Sequence, residues 1–312
     1  MYIEQGYKGN IGLWKYFIIP VCFIGFMGLN YVATVTSPVS VEDALQQMIE
    51  QFGSNLVLIF LLLPLAVGLI VVLGWTFLVH QQSITSLTTS RKKIDWKRIF
   101  FAFGLWGGLT ILLTLIDIYF SPDSYVLNFN MSKFIPLAII AILLIPLQTS
   151  FEEYLFRGHM MQGLGLLVKN RWVPLVVTSV LFGLMHIANP EVEKLGYGIM
   201  VYYIGTGFFL GILTLMDEGL ELALGFHAAN NLITALLVTA DWTAFQTDSI
   251  YRDISEPILG WDALIPVFVF FPILLFFFAK KYKWTNWKDK LFGTVLTKEE
   301  FVAKNDSESL LA

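Results

Sequence analysis

FIPLAIIAILLIPLQTSFEEYLFRG, residues 134–158, joins an apolar run from Phe134 to Leu147 to the charged trio Glu152, Glu153 and Arg157. The run is built to sit in lipid, and ionisable groups beside or inside a bilayer are costly, so this trio needs a reason to be there. On a helix Glu153 and Arg157 are four apart, share a face and can pair. Glu152 points about 100° away from Glu153 and keeps its carboxylate for another partner. The candidate partners lie downstream: His186, four residues after Phe182, and His227 with Asn231, again four apart.

The rest of the chain fits a membrane setting. Of 312 residues, 56% are hydrophobic and only 14% are charged, against about 25% charged in soluble domains. A water-soluble enzyme is excluded. Cys22 is the single cysteine, so there is neither an intramolecular disulfide nor a cysteine metal site. No glycine loop for phosphate and no basic surface for nucleic acid is present, so no nucleic-acid partner is expected.

A membrane-crossing helix takes roughly 20 mainly apolar residues. Candidate spans fall at about 14–35, 56–79, 99–120, 134–150, 172–188, 197–216, 220–240 and 264–280. The expected fold is therefore all-α and polytopic, with about eight transmembrane helices. An even count puts both termini on one side. Alternating the loops leaves Lys133, Lys194 and Arg252 on the far side and the other seventeen of the 20 basic residues on the near side. The positive-inside bias makes the near side cytoplasmic. Residues 1–284 are expected to be one transmembrane domain with its core at about 134–240, and 285–312 a flexible cytoplasmic tail. Residues 41–52 carry the pattern of a short amphipathic helix.

Between the acidic pair and His186 the helical pattern breaks at Lys169-Asn170-Arg171. If the flanking segments form an antiparallel hairpin about that break, Glu152 and His186 reach similar heights. Burying these segments apart would leave several polar groups unsatisfied in lipid.

The ordered triplet Glu-Glu-x-x-x-Arg (152–157), Phe-x-x-x-His (182–186) and His-x-x-x-Asn (227–231) resembles the three motifs of the CPBP (Abi) family. That family comprises type II CAAX prenyl endopeptidases and bacteriocin-processing or immunity proteins. The resemblance covers residues 134–240, and no motif position departs from it. It implies an intramembrane endopeptidase, CAAX-protease-like, with no metal and no cofactor. Glu152 would be the general base that activates water, and His186 would hold and polarise that water. His227 and Asn231 would donate to the oxyanion, while Glu153 and Arg157 would form a supporting ion pair and Phe182 would pack. The implied substrate is a membrane-tethered or lipidated peptide or protein. The implied place is the plasma membrane, with the site facing the cytoplasm or inner leaflet. The scheme is physically sound: a carboxylate in a poorly solvated cavity is a stronger base, and oxyanion donors count for more where water is scarce.

Blander readings stand beside these. His80 and His159 read as buried structural histidines, Asp117 as interfacial, and Gly207 with Gly211 as a helix-packing pair. Rival functions are a zinc-dependent membrane peptidase using Glu152, His186 and His227, a proton-coupled transporter, and a non-catalytic immunity or scaffold protein.

Overall fold

The computed structural model describes residues 1–12 and 14–310. Six of its helical stretches are long and apolar enough to cross a membrane. They are α1 (Lys15–Thr36), α3 (Ser54–Leu78), α5 (Trp96–Phe120), the continuous stretch Met131–Val168, the stretch Tyr197–Asp217, which contains α10 (Met200–Asp217), and Ala263–Tyr282, which contains α13 (Phe271–Tyr282). The expected segments at 172–188 and 220–240 are the shorter helices α8 (Trp172–Leu184) and α11 (Glu221–Leu237). Much of α11 is buried, and it packs against α5, α10 and the acidic helix. A helix wrapped by its neighbours need not match the width of the lipid on its own.

The stretch Met131–Val168 organises the site. It begins as α6 (Met131–Glu153), runs through a π-helical segment over Tyr154–Met160, and ends as α7 (Met161–Val168). Pro146 removes one backbone donor from α6. Nearby, Thr149 Oγ1 bonds back to the carbonyls of Ile145 at 3.0 Å and Pro146 at 3.3 Å. The π segment widens the helix where Arg157 must turn inward, and π insertions often mark functional sites. Lys169 then takes a left-handed conformation, φ 55°. Asn170 Oδ1 accepts from the amides of Trp172 (2.8 Å) and Val173 (3.2 Å), capping α8. The predicted turn at 169–171 is thus a true reversal, and α8 packs back along α7 and the π segment.

Close backbone approach fixes α8 on α10. A Cβ at Gly207 would lie 2.4 Å from the carbonyl oxygen of Ser179, and one at Gly211 would meet Leu175 at 2.5 Å. The glycine pair is a packing feature, as its spacing predicts.

Charge gathers at the two ends of the bundle. Lys133 lies 3.6 Å from Asp248, Lys194 pairs with Glu42, and Arg252 pairs with Asp241. These are the three basic residues set apart by the sequence. Near them β1 (Tyr125–Leu127) pairs antiparallel with β3 (Tyr251–Asp253), which pairs parallel with β2 (Val238–Ala240). The helix α2 (Val41–Phe52) packs on α3, with the Ser40 hydroxyl accepting from the Asp43 amide at 3.0 Å. Elsewhere Arg91 meets Asp217 (3.0 Å) and Glu221 (3.1 Å), Arg98 meets Asp217 (2.5 Å), and Arg171 meets Glu4 (2.7 Å).

The first residues are buried. Ile3–Lys8 form a 3₁₀ helix, and Tyr2 Oη donates to the carbonyls of Leu87 (2.7 Å) and Arg157 (3.0 Å). The segment expected to be a flexible tail holds α14 (Trp287–Phe292) and α15 (Lys298–Leu310). Leu291, Val295 and Phe301 join the main core, because apolar residues recur among the tail's charges. Residues 311 and 312 lie outside the described residues.

Candidate active site

Three elements supply the candidate residues: the end of α6 with its π segment, the end of α8, and the middle of α11. Glu153 and Arg157 are fully buried and joined by a 2.9 Å contact. Arg157 also donates to the Gly207 carbonyl at 3.1 Å, and its guanidinium lies 4.2 Å from the centre of the Phe182 ring. A buried charge is tolerable only when paired and hydrogen-bonded in this way. Phe182 therefore does more than fill space: it also packs edge-on against Phe156.

His227 stands between the two glutamates. Its Nδ1 lies 2.8 Å from Glu153 Oε1, and its Nε2 lies 3.7 Å from Glu152 Oε2. A carboxylate accepts, so Nδ1–H donates to Glu153 and Nε2 faces Glu152. The 3.7 Å separation is too long for a direct hydrogen bond but suits two groups that share a third polar atom. Glu152 Oε2 is buried and has no protein donor, while Glu152 Oε1 accepts from Gln148 Nε2.

His186 sits in the turn just after α8. Its Nδ1 lies 2.9 Å from the Phe182 carbonyl, and its ring stacks on Tyr203 at 4.4 Å. It makes no hydrogen bond to Glu152, yet it lies within electrostatic reach of both Glu152 and His227. Phe182 touches both imidazoles, with ring centres 5.1 Å from His186 and 5.8 Å from His227. Asn231 joins the group indirectly, donating from Nδ2 to Gln148 Oε1 at 3.3 Å.

Four participants escaped the sequence reading. Gln148 was legible, since it lies four residues before Glu152 on the same helix face. Asn230 adjoins Asn231 and donates to its Oδ1 at 3.1 Å. Trp106 and Tyr203 arrive from α5 and α10 and gave no local signal. His80 and His159 lie apart, buried in a ring cluster with Tyr16. Among the described residues, no three His, Cys, Asp or Glu side chains are grouped to hold a metal ion.

A helical membrane protein with a buried carboxylate–imidazole–amide cluster is thus defined by geometry alone. A sequence profile of type II CAAX prenyl endopeptidase Rce1-like proteins matches residues 131–233, the stretch that carries every residue of the three motifs. The chain is 32% identical over 239 residues to the uncharacterized protein YyaK of Bacillus subtilis (strain 168). That alignment covers 74% of this chain and 80% of the relative. Among solved structures, none matches. The chain belongs to the CPBP family of CAAX-type membrane proteases.

Proposed function

We propose that this chain is an intramembrane endopeptidase in which Glu152 activates the attacking water. The observation that carries the reading is the approach of Glu152 Oε2 to His227 Nε2 at 3.7 Å, with Glu152 Oε1 and His227 Nδ1 each held from behind. Glu152 Oε2, buried without a protein donor, and His227 Nε2 stand at a separation that one shared water could bridge.

In this scheme Glu152 removes a proton from water as its oxygen attacks the carbonyl carbon. The carbonyl π electrons move to oxygen. His227 and the Asn231 amide, through its second N–H, donate to that oxyanion. Glu152 then returns the proton to the departing amine as the C–N bond breaks, so no covalent enzyme intermediate forms. His186, packed on the Phe182 ring, helps to hold the water. Glu153 holds the His227 ring in place through Nδ1, and Arg157 holds Glu153 aligned.

The chain crosses the bilayer eight times in this reading, with α8 and α11 as the short inner spans and both ends in the cytoplasm. The site then opens toward the cytoplasm or inner leaflet of the plasma membrane. A membrane-tethered or lipidated peptide is the substrate class, because it is delivered at that depth. The test is cleavage of a quenched peptide library, with and without lipid modification, by purified protein in detergent. Activity lost in Glu152→Gln and His227→Ala but kept with a zinc chelator supports the scheme. Loss on chelation with recovery on added zinc replaces it with a metallopeptidase, and cleavage by Glu152→Gln refutes the base assignment.

A further inference from the structure

Behind Glu152 runs a chain of hydrogen bonds that reaches across three helices. Trp106 Nε1, on α5, donates to Asn230 Oδ1 at 3.0 Å. Asn230 Nδ2 donates to Asn231 Oδ1 at 3.1 Å. Asn231 Nδ2 donates to Gln148 Oε1 at 3.3 Å. Gln148 Nε2 then donates to Glu152 Oε1.

The direction of this chain is forced by its two ends. An indole N–H donates and never accepts, whereas an ionised carboxylate accepts and never donates. Between them each amide has one orientation that satisfies both neighbours. Flipping any single amide places two donors or two acceptors face to face in a buried site. Trp106 and Gln148 are nearly inaccessible, at 6% and 4% exposure, so water cannot easily repair such a fault. Aligned hydrogen bonds in a low-dielectric interior also polarise one another.

We propose that Trp106, Asn230 and Gln148 are positioning residues that set the polarity of this relay. The relay holds Glu152 Oε1 in place so that Oε2 alone faces the substrate. It also fixes the Asn231 amide with Oδ1 toward Asn230 and Nδ2 toward Gln148, leaving one N–H for the oxyanion. Trp106 is thereby the remote anchor of both the base and the oxyanion donor. The proposal rests on the glutamate reading above for its catalytic consequence, but the geometry of the relay can be tested without turnover.

The tests are Trp106→Phe, which keeps a ring and loses the donor, and Asn230→Asp, which keeps the shape. An aspartate still accepts from Trp106 but cannot donate to Asn231. Both variants should lower kcat by about 10-fold or more while leaving KM within about 2-fold, as expected when transition-state contacts alone are lost. Equal effects on kcat and KM, or none, would overturn the relay. Where a variant is too unstable to assay, a second readout is the infrared carboxylate stretch of Glu152. It is isolated by subtracting the spectrum of Glu152→Gln, made in the wild-type and in the Trp106→Phe background. A shifted band in Trp106→Phe supports the relay, and an unmoved band refutes it. Cleavage that persists in Glu152→Gln would sink the glutamate mechanism instead, and the infrared result would still decide the relay.

Discussion

Glu153 Oε1 lies 2.8 Å from Nδ1 of His227, a residue 74 positions further along the chain. The same oxygen is held by Arg157 at 2.9 Å. Glu153 therefore belongs to the histidine as much as to its own helix. The sequence spacing explains the Arg157 contact, and only the fold supplies the second.

That relationship gives the first expectation. Glu153→Gln keeps an acceptor for Nδ1–H and for Arg157 but loses the charge. Partners that orient a metal-bound histidine typically cost about 10–100-fold when altered, and Glu153 orients His227 in the same way. Steady-state cleavage by Glu153→Gln should fall within that range in kcat, with KM little changed. Glu152→Gln should be more severe, by about 10²–10⁴-fold, the usual worth of a general base.

Arg157→Met should act on the fold. It leaves Glu153 buried without its cation, and breaking one side of a buried pair costs about 3–5 kcal/mol. The expected result is poor yield and a much lower Tm in detergent. The double variant Glu153→Gln with Arg157→Met should recover part of the loss, which a thermal-unfolding cycle would measure.

The approach of α8 to α10 predicts an asymmetric pair of glycine substitutions. Gly207→Ala drives a methyl into the Ser179 carbonyl, 2.4 Å away, and overpacking of this kind costs about 1–3 kcal/mol. Gly25→Ala, in α1, meets nothing within 4 Å. It should be neutral or slightly stabilising, since alanine is favoured over glycine inside a helix by up to about 1 kcal/mol. Thermal unfolding of the two variants side by side checks both signs.

Glu191 predicts a pH effect away from the site. It lies in α9 (Pro190–Leu195), outside the membrane-crossing helices, with Oε1 accepting from the Ala244 amide at 2.9 Å and Oε2 buried without a partner. Burial raises its pKa above the ordinary carboxylate value, against the opposing Ala244 bond. The folded state thus prefers the protonated form. Stability tied to this group is fully present below the unfolded-state value and is lost as pH rises through the folded one. Glu191→Gln should raise the Tm at neutral pH and make little difference near pH 4. An equal gain at both values would exclude ionisation as the cause.

How much of this was legible depended on distance along the chain. The membrane class, the helical segments and the Glu153–Arg157 pair follow from apolar run length and i,i+4 spacing. The turn at 169–171 was readable because Lys169-Asn170-Arg171 breaks an apolar pattern. Gln148 was available to the same spacing rule and went unread. Trp106, Tyr203 and the second role of Glu153 had no local signature, because each depends on how α5, α10 and α11 rotate about the acidic helix. The packed segment around Leu291, Val295 and Phe301 was hidden for a different reason: its polar composition outweighs three apolar residues that the fold happens to bring inward.

The buried position of Tyr2 and Glu4 has a consequence for how the protein is made. Residues 2–7 are made well before their partners, so Tyr2 waits for the Arg157 carbonyl, Glu4 for the Arg171 guanidinium, and Tyr7 for the Leu296 carbonyl at 2.8 Å. The helix bearing the acidic pair cannot reach its final packing until synthesis has passed that last residue. Until then the buried Glu153–Arg157 pair sits in an unfinished setting.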